Sequence, residues 1–239
     1  MIFWIIATLL AFYVKGLCGF ANTLVFTSIL TFGTANINIS PVELILGYPT
    51  NLIISIKERK AITPRIVIPL AIMVIIGSLG GALFLKSADT TLIKIIFGAL
   101  VILVGIEMLL RELSQKKTKN SRVLLTIIGI LSGFLCGLYG VGALLGAYIG
   151  RTTDDLKSFK ANICTVFIIE NTFRVILYLF YGIITMESLK RALILSPFML
   201  IGLGAGMLSA GKISEKIVKR IVIILLIVSG IALILTNCL

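Results

Sequence analysis

The chain has 239 residues, 59% of them hydrophobic and only 13% charged, with a mean hydropathy of +1.14. A soluble domain must cover its outside with polar groups, so this composition excludes one and calls for a polytopic helical membrane protein. The formal charge of +12 comes from basic residues set mostly in short connections, with no aromatic-interleaved basic surface, which excludes a nucleic-acid partner and points to anionic lipid head groups.

The first apolar segment runs from Met1 to Phe32 and is interrupted at Lys15-Gly-Leu-Cys-Gly19. About 13 residues on either side make roughly 20 Å of helix, too little to cross a bilayer. The opening MIFWIIATLLAFYV lacks a basic start and a small-residue cleavage site, so it is expected to be retained. After a polar link (Gly33–Ser40), Pro41 is expected to open a second segment reaching about Ile56, closed by Lys57–Lys60. A third segment spans Pro64–Leu85 and a fourth Leu92–Leu110. The polar run Arg111–Arg122 divides the chain into repeats of residues 1–115 and 116–239. The second repeat follows the same plan: Val123–Gly150, broken by the glycines of Gly133–Gly146, then Ala161–Tyr181, Leu193–Ala210 and Ile217–Leu235.

Ile76–Leu110 overlays Ile201–Leu235 at a constant offset of 125, with eleven identities in 35 positions. Shared leucines mean little in so apolar a chain. The matches Gly77/Gly202, Gly81/Gly206, Gly105/Gly230 and Lys94/Lys219 mean more, because each meets a particular local need. Two topologies compete. Eight plain crossings with the amino terminus inside place 11 basic residues in the inner loops and nine in the outer ones. Re-entrant first segments with inverted repeats collect 16 basic residues inside, in Lys57–Arg65, Arg111–Arg122, Arg151–Lys160 and Lys212–Arg220. The positive-inside rule favours the second arrangement, and broken helices at the centre of two related halves are the usual build of a secondary transporter.

Lys15 is the only charge between Met1 and Pro41. Gly16 and Gly19 would free the chain beside it, so its ammonium and the N–H groups of the next half-helix make a candidate anion site. The alternative is a lysine that snorkels to the interface. Asn22 and Thr23 in the first half, and Gly137, Tyr139, Gly140 and Gly142 in the second, add donors near each break. Gly77-x-x-x-Gly81 and Gly202-x-x-x-Gly206 are read as packing glycines, and close helix packing is also the alternative reading for Gly16, Gly19, Gly133, Gly137, Gly140, Gly142 and Gly146. Asn51 matches Asn171 at an offset of 120, flanked by Glu170 and Arg174, which share one helix face. That pair either locks its helix or attracts and releases an anion. Glu43 and Glu107 are read as interfacial alternatives. The four cysteines are read as small packing residues. Histidine is absent, and no carboxylate pair, metal cluster or nucleotide loop is found, so neither an enzyme nor a cofactor is expected.

The paired glycine-rich stretches Gly16–Thr23 and Gly133–Gly142, with Asn51, Asn171, Gly77/Gly81 and Gly202/Gly206, resemble the sulfite exporter TauE/SafE family over essentially the whole chain. The resemblance implies a carrier in the cytoplasmic membrane for a small sulfur-containing anion, such as sulfite or a sulfonate. Coupling would come from the membrane potential or a proton. An importer, an anion channel and a non-transporting assembly protein are the rival readings.

Overall fold

The computed structural model describes residues 1–30, 36–87, 122–139, 142–153, 155–210 and 212–238, with single positions between Ile95 and Leu110. Its helices are α1 (Ile2–Cys18), α2 (Asn22–Leu30), α3 (Asn36–Lys57), α4 (Pro64–Ser87), α5 (Arg122–Tyr139), α6 (Ala143–Thr152), α7 (Leu156–Phe180), α8 (Met186–Ala210) and α9 (Glu215–Cys238). A short 3-10 turn, Arg59–Ala61, precedes α4. Among the described residues, α3, α4, α7 and α8 contain stretches long and apolar enough to cross a membrane. The fourth expected segment and the boundary between residues 115 and 116 lie largely outside the described residues.

Polarity is inverted relative to a soluble protein. Ile68, Ile72 and Ile76 form an exposed stripe on α4, and Leu193, Leu200 and Leu208 one on α8. Lys15, Glu43, Glu170 and Arg174 are buried. Lipid tails meet the outer residues at no cost, so packing between helices must come from close backbone approach and polar contacts.

Glycines supply the close approach. Gly77 of α4 lies against the backbone of Ile130 and Phe134 of α5, while Gly133 lies against Val74. Gly129 faces Leu70 and Met73, and Gly80 faces Phe134, so the contacting positions rise together along both helices and α4 and α5 run parallel. Gly16 of α1 faces α8 so tightly that an added Cβ would sit 2.5 Å from the Leu203 carbonyl oxygen and 2.7 Å from the Met207 nitrogen. Gly202 meets Leu9, and Gly206 meets Tyr13, so α1 and α8 are also parallel. The α3–α7 pair runs the other way, joined by hydroxyl pairs Ser40–Tyr178 at 2.9 Å, Tyr48–Thr172 at 3.0 Å and Ser55–Thr165 at 2.9 Å. Gly98 and Gly230 also meet, a Cβ on either lying 2.7 Å from the other's carbonyl oxygen, while Gly105 faces Ile223 and Ile227. That crossing is antiparallel as well.

The first segment is broken and turns back on itself. Trp4 near the start of α1 packs its ring 5.7 Å from that of Phe26 in α2, which requires a hairpin. The break falls later than the sequence suggests. Helix α1 continues through Lys15 and Gly16 to Cys18, and the turn is made by Gly19 (φ +88°) and Ala21 (φ +71°). Gly16 therefore serves helix contact rather than chain freedom. Other boundaries also move. Helix α3 starts at Asn36, so Pro41 and Pro49 both lie inside it, and each removes one backbone donor. Helix α7 begins at Leu156, where the Asp155 carboxylate caps it by accepting the Ser158 N–H at 2.8 Å. Helix α8 begins at Met186, so Lys190 and Arg191 belong to its first turns, and Arg191 lies 4.5 Å from the Trp4 ring centroid.

The Thr63 N–H donates to Asn162 Oδ1 at 2.8 Å, and the Asn162 amide donates to the Ala61 carbonyl at 3.4 Å. These bonds hold the basic connection after α3 and the basic start of α7 at one end of the molecule. Cysteines at Lys60→Cys and Lys157→Cys are therefore expected to react with an impermeant maleimide from the same face of the membrane; labelling from opposite faces would contradict this arrangement. Gly16→Ala must push apart two backbones, and is expected to lower stability in detergent by about 1–3 kcal/mol. Gly204→Ala, whose Cβ would meet nothing within 4 Å, is the matched control and should not destabilise. Equal melting temperatures for the two variants would remove the packing role of Gly16.

Candidate functional site

The two breaks converge on one face of α7. At the first, the Gly19 N–H closes α1 by donating to the Lys15 carbonyl at 2.6 Å, while the Gly19 carbonyl accepts the Cys164 thiol of α7 at 3.3 Å. Ala21 holds a left-handed conformation that costs a non-glycine residue on the order of 1 kcal/mol or more, so surrounding packing must impose it. At the second, Gly142 caps α6 and lies against the Phe167 ring of α7, leaving no room for a side chain. Gly146 of α6 in turn faces the Phe20 ring of the first break.

Lys15 stands in the last turn of α1, where the carbonyl end of the helix dipole favours a cation. It is 1% exposed. Its Nζ reaches the Gly47 carbonyl at 3.5 Å and stands 5.9 Å from the Phe167 ring centroid. Among the described residues no carboxylate lies within 4 Å of it. Snorkelling is thereby excluded: the head group points into the protein.

One helical turn from Gly47 stands Glu43, 2% exposed, whose carboxylate gathers donors from two other helices. Asn22 Nδ2 donates to its Oε1 at 2.6 Å and Thr23 Oγ1 to the same atom at 2.7 Å. Arg174 Nη2 approaches Oε2 at 3.5 Å. Gly47 makes this approach possible, since a Cβ there would stand 3.1 Å from Glu43 Oε1.

Arg174 is shared. Besides Glu43, its Nη2 donates to Asn171 Oδ1 at 3.2 Å, its Nη1 to the Cys136 carbonyl of α5 at 3.3 Å, and its Nε lies 3.7 Å from Glu170 Oε1. The last contact is an ion pair without a hydrogen bond, and both of its atoms lack a hydrogen-bond partner. Of the buried cations, Arg174 takes both buried carboxylates. Lys15 keeps neither. Asn51, 1% exposed and one turn after Gly47 in α3, leaves its Oδ1 without a hydrogen-bond partner.

Of the residues singled out from sequence, the structure brings Asn22, Thr23, Asn171 and Arg174 into one hydrogen-bonded network, with Glu170 paired to its edge. Lys15 lies beside that network through Gly47, and Gly19 and Gly142 make the turns that shape it. Gly137 and Tyr139 belong to the last turn of α5, and Gly140 lies outside the described residues. Glu43 is not interfacial. Because α3 begins before Pro41, Glu43 lies two turns inside the helix. The sequence signal was a charge between two prolines of one apolar run. Lys160, hidden among loop charges, is likewise buried and donates to the Gly16 carbonyl at 3.0 Å.

No group of three or more potential metal-ligating side chains occurs among the described residues. No curated protein and no solved structure matches the chain. A family model, Sulfite exporter TauE/SafE, matches residues 4–233. With its apolar helices, buried charges and a match over nearly its whole length, the chain belongs to the sulfite exporter TauE/SafE family and is a multi-pass membrane transporter of a small anion.

Proposed function

We propose that this transporter is a secondary carrier for a sulfur-containing oxyanion or organosulfonate, held at Lys15 between the broken helices of two inverted repeats. The observation that carries the reading is the lysine itself: a buried ammonium with one long contact to a carbonyl, an aromatic ring 5.9 Å away and, among the described residues, no carboxylate within 4 Å. An unpaired cation at membrane depth is expensive and points to a ligand. The family description, a sulfite exporter, supports the class of anion.

Asn51, Gly142 and the backbone around Gly19 are the further groups this reading assigns to the site. Inversion is supported by the contact pattern. Helices α3 and α7, equivalent at an offset of 120, cross antiparallel. In the offset of 125, the Gly98–Gly230 contact maps onto the Gly105–Ile223 contact. A two-fold axis in the membrane plane generates such reciprocal pairs. It relates residues 1–115 to 116–239.

Glu43 occupies donors that an oxyanion would use: an amide, a hydroxyl and a guanidinium converge on its carboxylate. An incoming anion competes with this tethered one for Asn22, Thr23 and Arg174. A proton delivered to Glu170 would weaken its hold on Arg174 and offset the charge of the substrate, which provides a route for proton coupling. The membrane potential acts on any uncompensated charge, at about 2.3 kcal/mol per charge per 100 mV.

Flux into proteoliposomes across a panel of sulfite, thiosulfate, sulfoacetate and acetate tests the reading. The sulfur anions are expected to move with saturable kinetics, and Lys15→Gln to cut kcat/KM by about 100-fold, the loss of a charged contact worth ~3 kcal/mol. Unchanged flux in a folded Lys15→Gln protein would remove the site. Non-saturating currents would favour a channel instead. Glu43→Gln removes the competing carboxylate and is expected to tighten substrate binding about tenfold while slowing turnover; weaker binding would show that Glu43 organises the site rather than competing within it.

A further inference from the structure

A cavity of about 480 Å³ opens at the end of the molecule where the basic connections meet, bordered by Gly16, Lys57, Glu58, Lys157, Lys160 and Ala210. Three lysines face one glutamate there. The cavity is far larger than a dehydrated oxyanion needs, since a water molecule takes about 30 Å³. It has room for an anion with its hydration shell. Its inner wall is Gly16, the residue after Lys15.

Lys160 stands between this space and the core. It is 8% exposed, and its Nζ donates to the Gly16 carbonyl at 3.0 Å. That carbonyl is one of the orphan acceptors at the end of α1, so the lysine caps the helix. An ammonium has three donors. The bond to Gly16 uses one of them.

We propose that this cavity is a second anion-binding site: a vestibule that collects hydrated small anions with Lys57 and Lys157 and passes them over Lys160 to Lys15. The step from vestibule to core is the step of dehydration. In the vestibule the anion keeps its water and feels a positive field. At Lys15 it exchanges water for protein donors. The vestibule's role in transport rests on the carrier reading above, but its charge selectivity does not. At the far end of the α3–α7 seam, the Ser40–Tyr178 bond joins the two helices, so the opening described here lies on the side of the basic connections.

The test is the reaction of an introduced thiol, Ala210→Cys, with sulfonatoethyl and trimethylammonioethyl methanethiosulfonates in the full-length protein at low salt; the protein without this cysteine gives the background. Relative to a free thiol, the anionic reagent is expected to gain about tenfold over the cationic one. Lys57→Gln with Lys157→Gln, both at exposed positions, should erase most of that gain, and sulfoacetate should slow the reaction. Equal rates for the two reagents, or a preference for the cation, would overturn the vestibule. A charge preference that persists while Lys15→Gln transports normally would leave the vestibule standing and remove the carrier site. If the vestibule feeds Lys15, Lys57→Gln with Lys157→Gln also raises KM severalfold with kcat unchanged; an unaltered KM would overturn the feeding role.

Discussion

A cation inside a bilayer needs an answering charge, and here the answer is unevenly distributed. Arg174 lies within 3.5 Å of Glu43 and 3.7 Å of Glu170, while among the described residues Lys15 has a carbonyl at 3.5 Å and an aromatic ring at 5.9 Å but no carboxylate. Removing a charge from water costs several kcal/mol even after relaxation, and pairing recovers it only with good geometry. Such an imbalance at the meeting point of two broken helices gives an anion something to gain by entering. Everything else in the interior keeps that imbalance in place.

The scaffold does so through backbone contact rather than side-chain bulk. Gly16 against α8 and Gly133 against α4 bring helices so close that no larger residue fits. These parallel crossings join α1 to α8 and α4 to α5, so helices far apart in the chain hold each broken segment. The antiparallel α3–α7 seam lies between them and carries Asn51, Glu43, Glu170, Asn171 and Arg174. Under the proposed carrier reading, relative motion across these crossings acts on the charged centre through two glycine contacts and a row of hydroxyl pairs. Ala21, held at positive φ, marks the turn that breaks the first helix.

Much of this was legible in the sequence because charge is rare there. Lys15, Glu170 and Arg174 announced themselves as charges in apolar runs, and the packing glycines of α4 and α8 followed from their repeat. Glu43 was discounted for a physical reason: proline at position 41 suggested a helix start, yet the helix begins five residues earlier and tolerates Pro41 as well as Pro49. Gly16 stays open in the sequence because glycine after lysine suits both a turn and a close crossing. Only the partner helix decides between them. Lys160 could not be separated from its neighbours Lys157 and Arg151 by sequence, since its burial depends on α1 ending against α7. The cluster at Gly137–Gly142 shows the reverse: helix continues through Tyr139, so glycine density overstated how much backbone is unwound.

The central claim is that Lys15 holds the transported anion. Diffraction from crystals grown with selenite in place of sulfite, collected at the selenium edge, tests it most directly. An anomalous peak is expected with its oxygens about 3 Å from Lys15 Nζ, a charge-assisted hydrogen-bond distance. A fully occupied selenite elsewhere in the membrane core, with Lys15 paired to Glu43, would contradict the account.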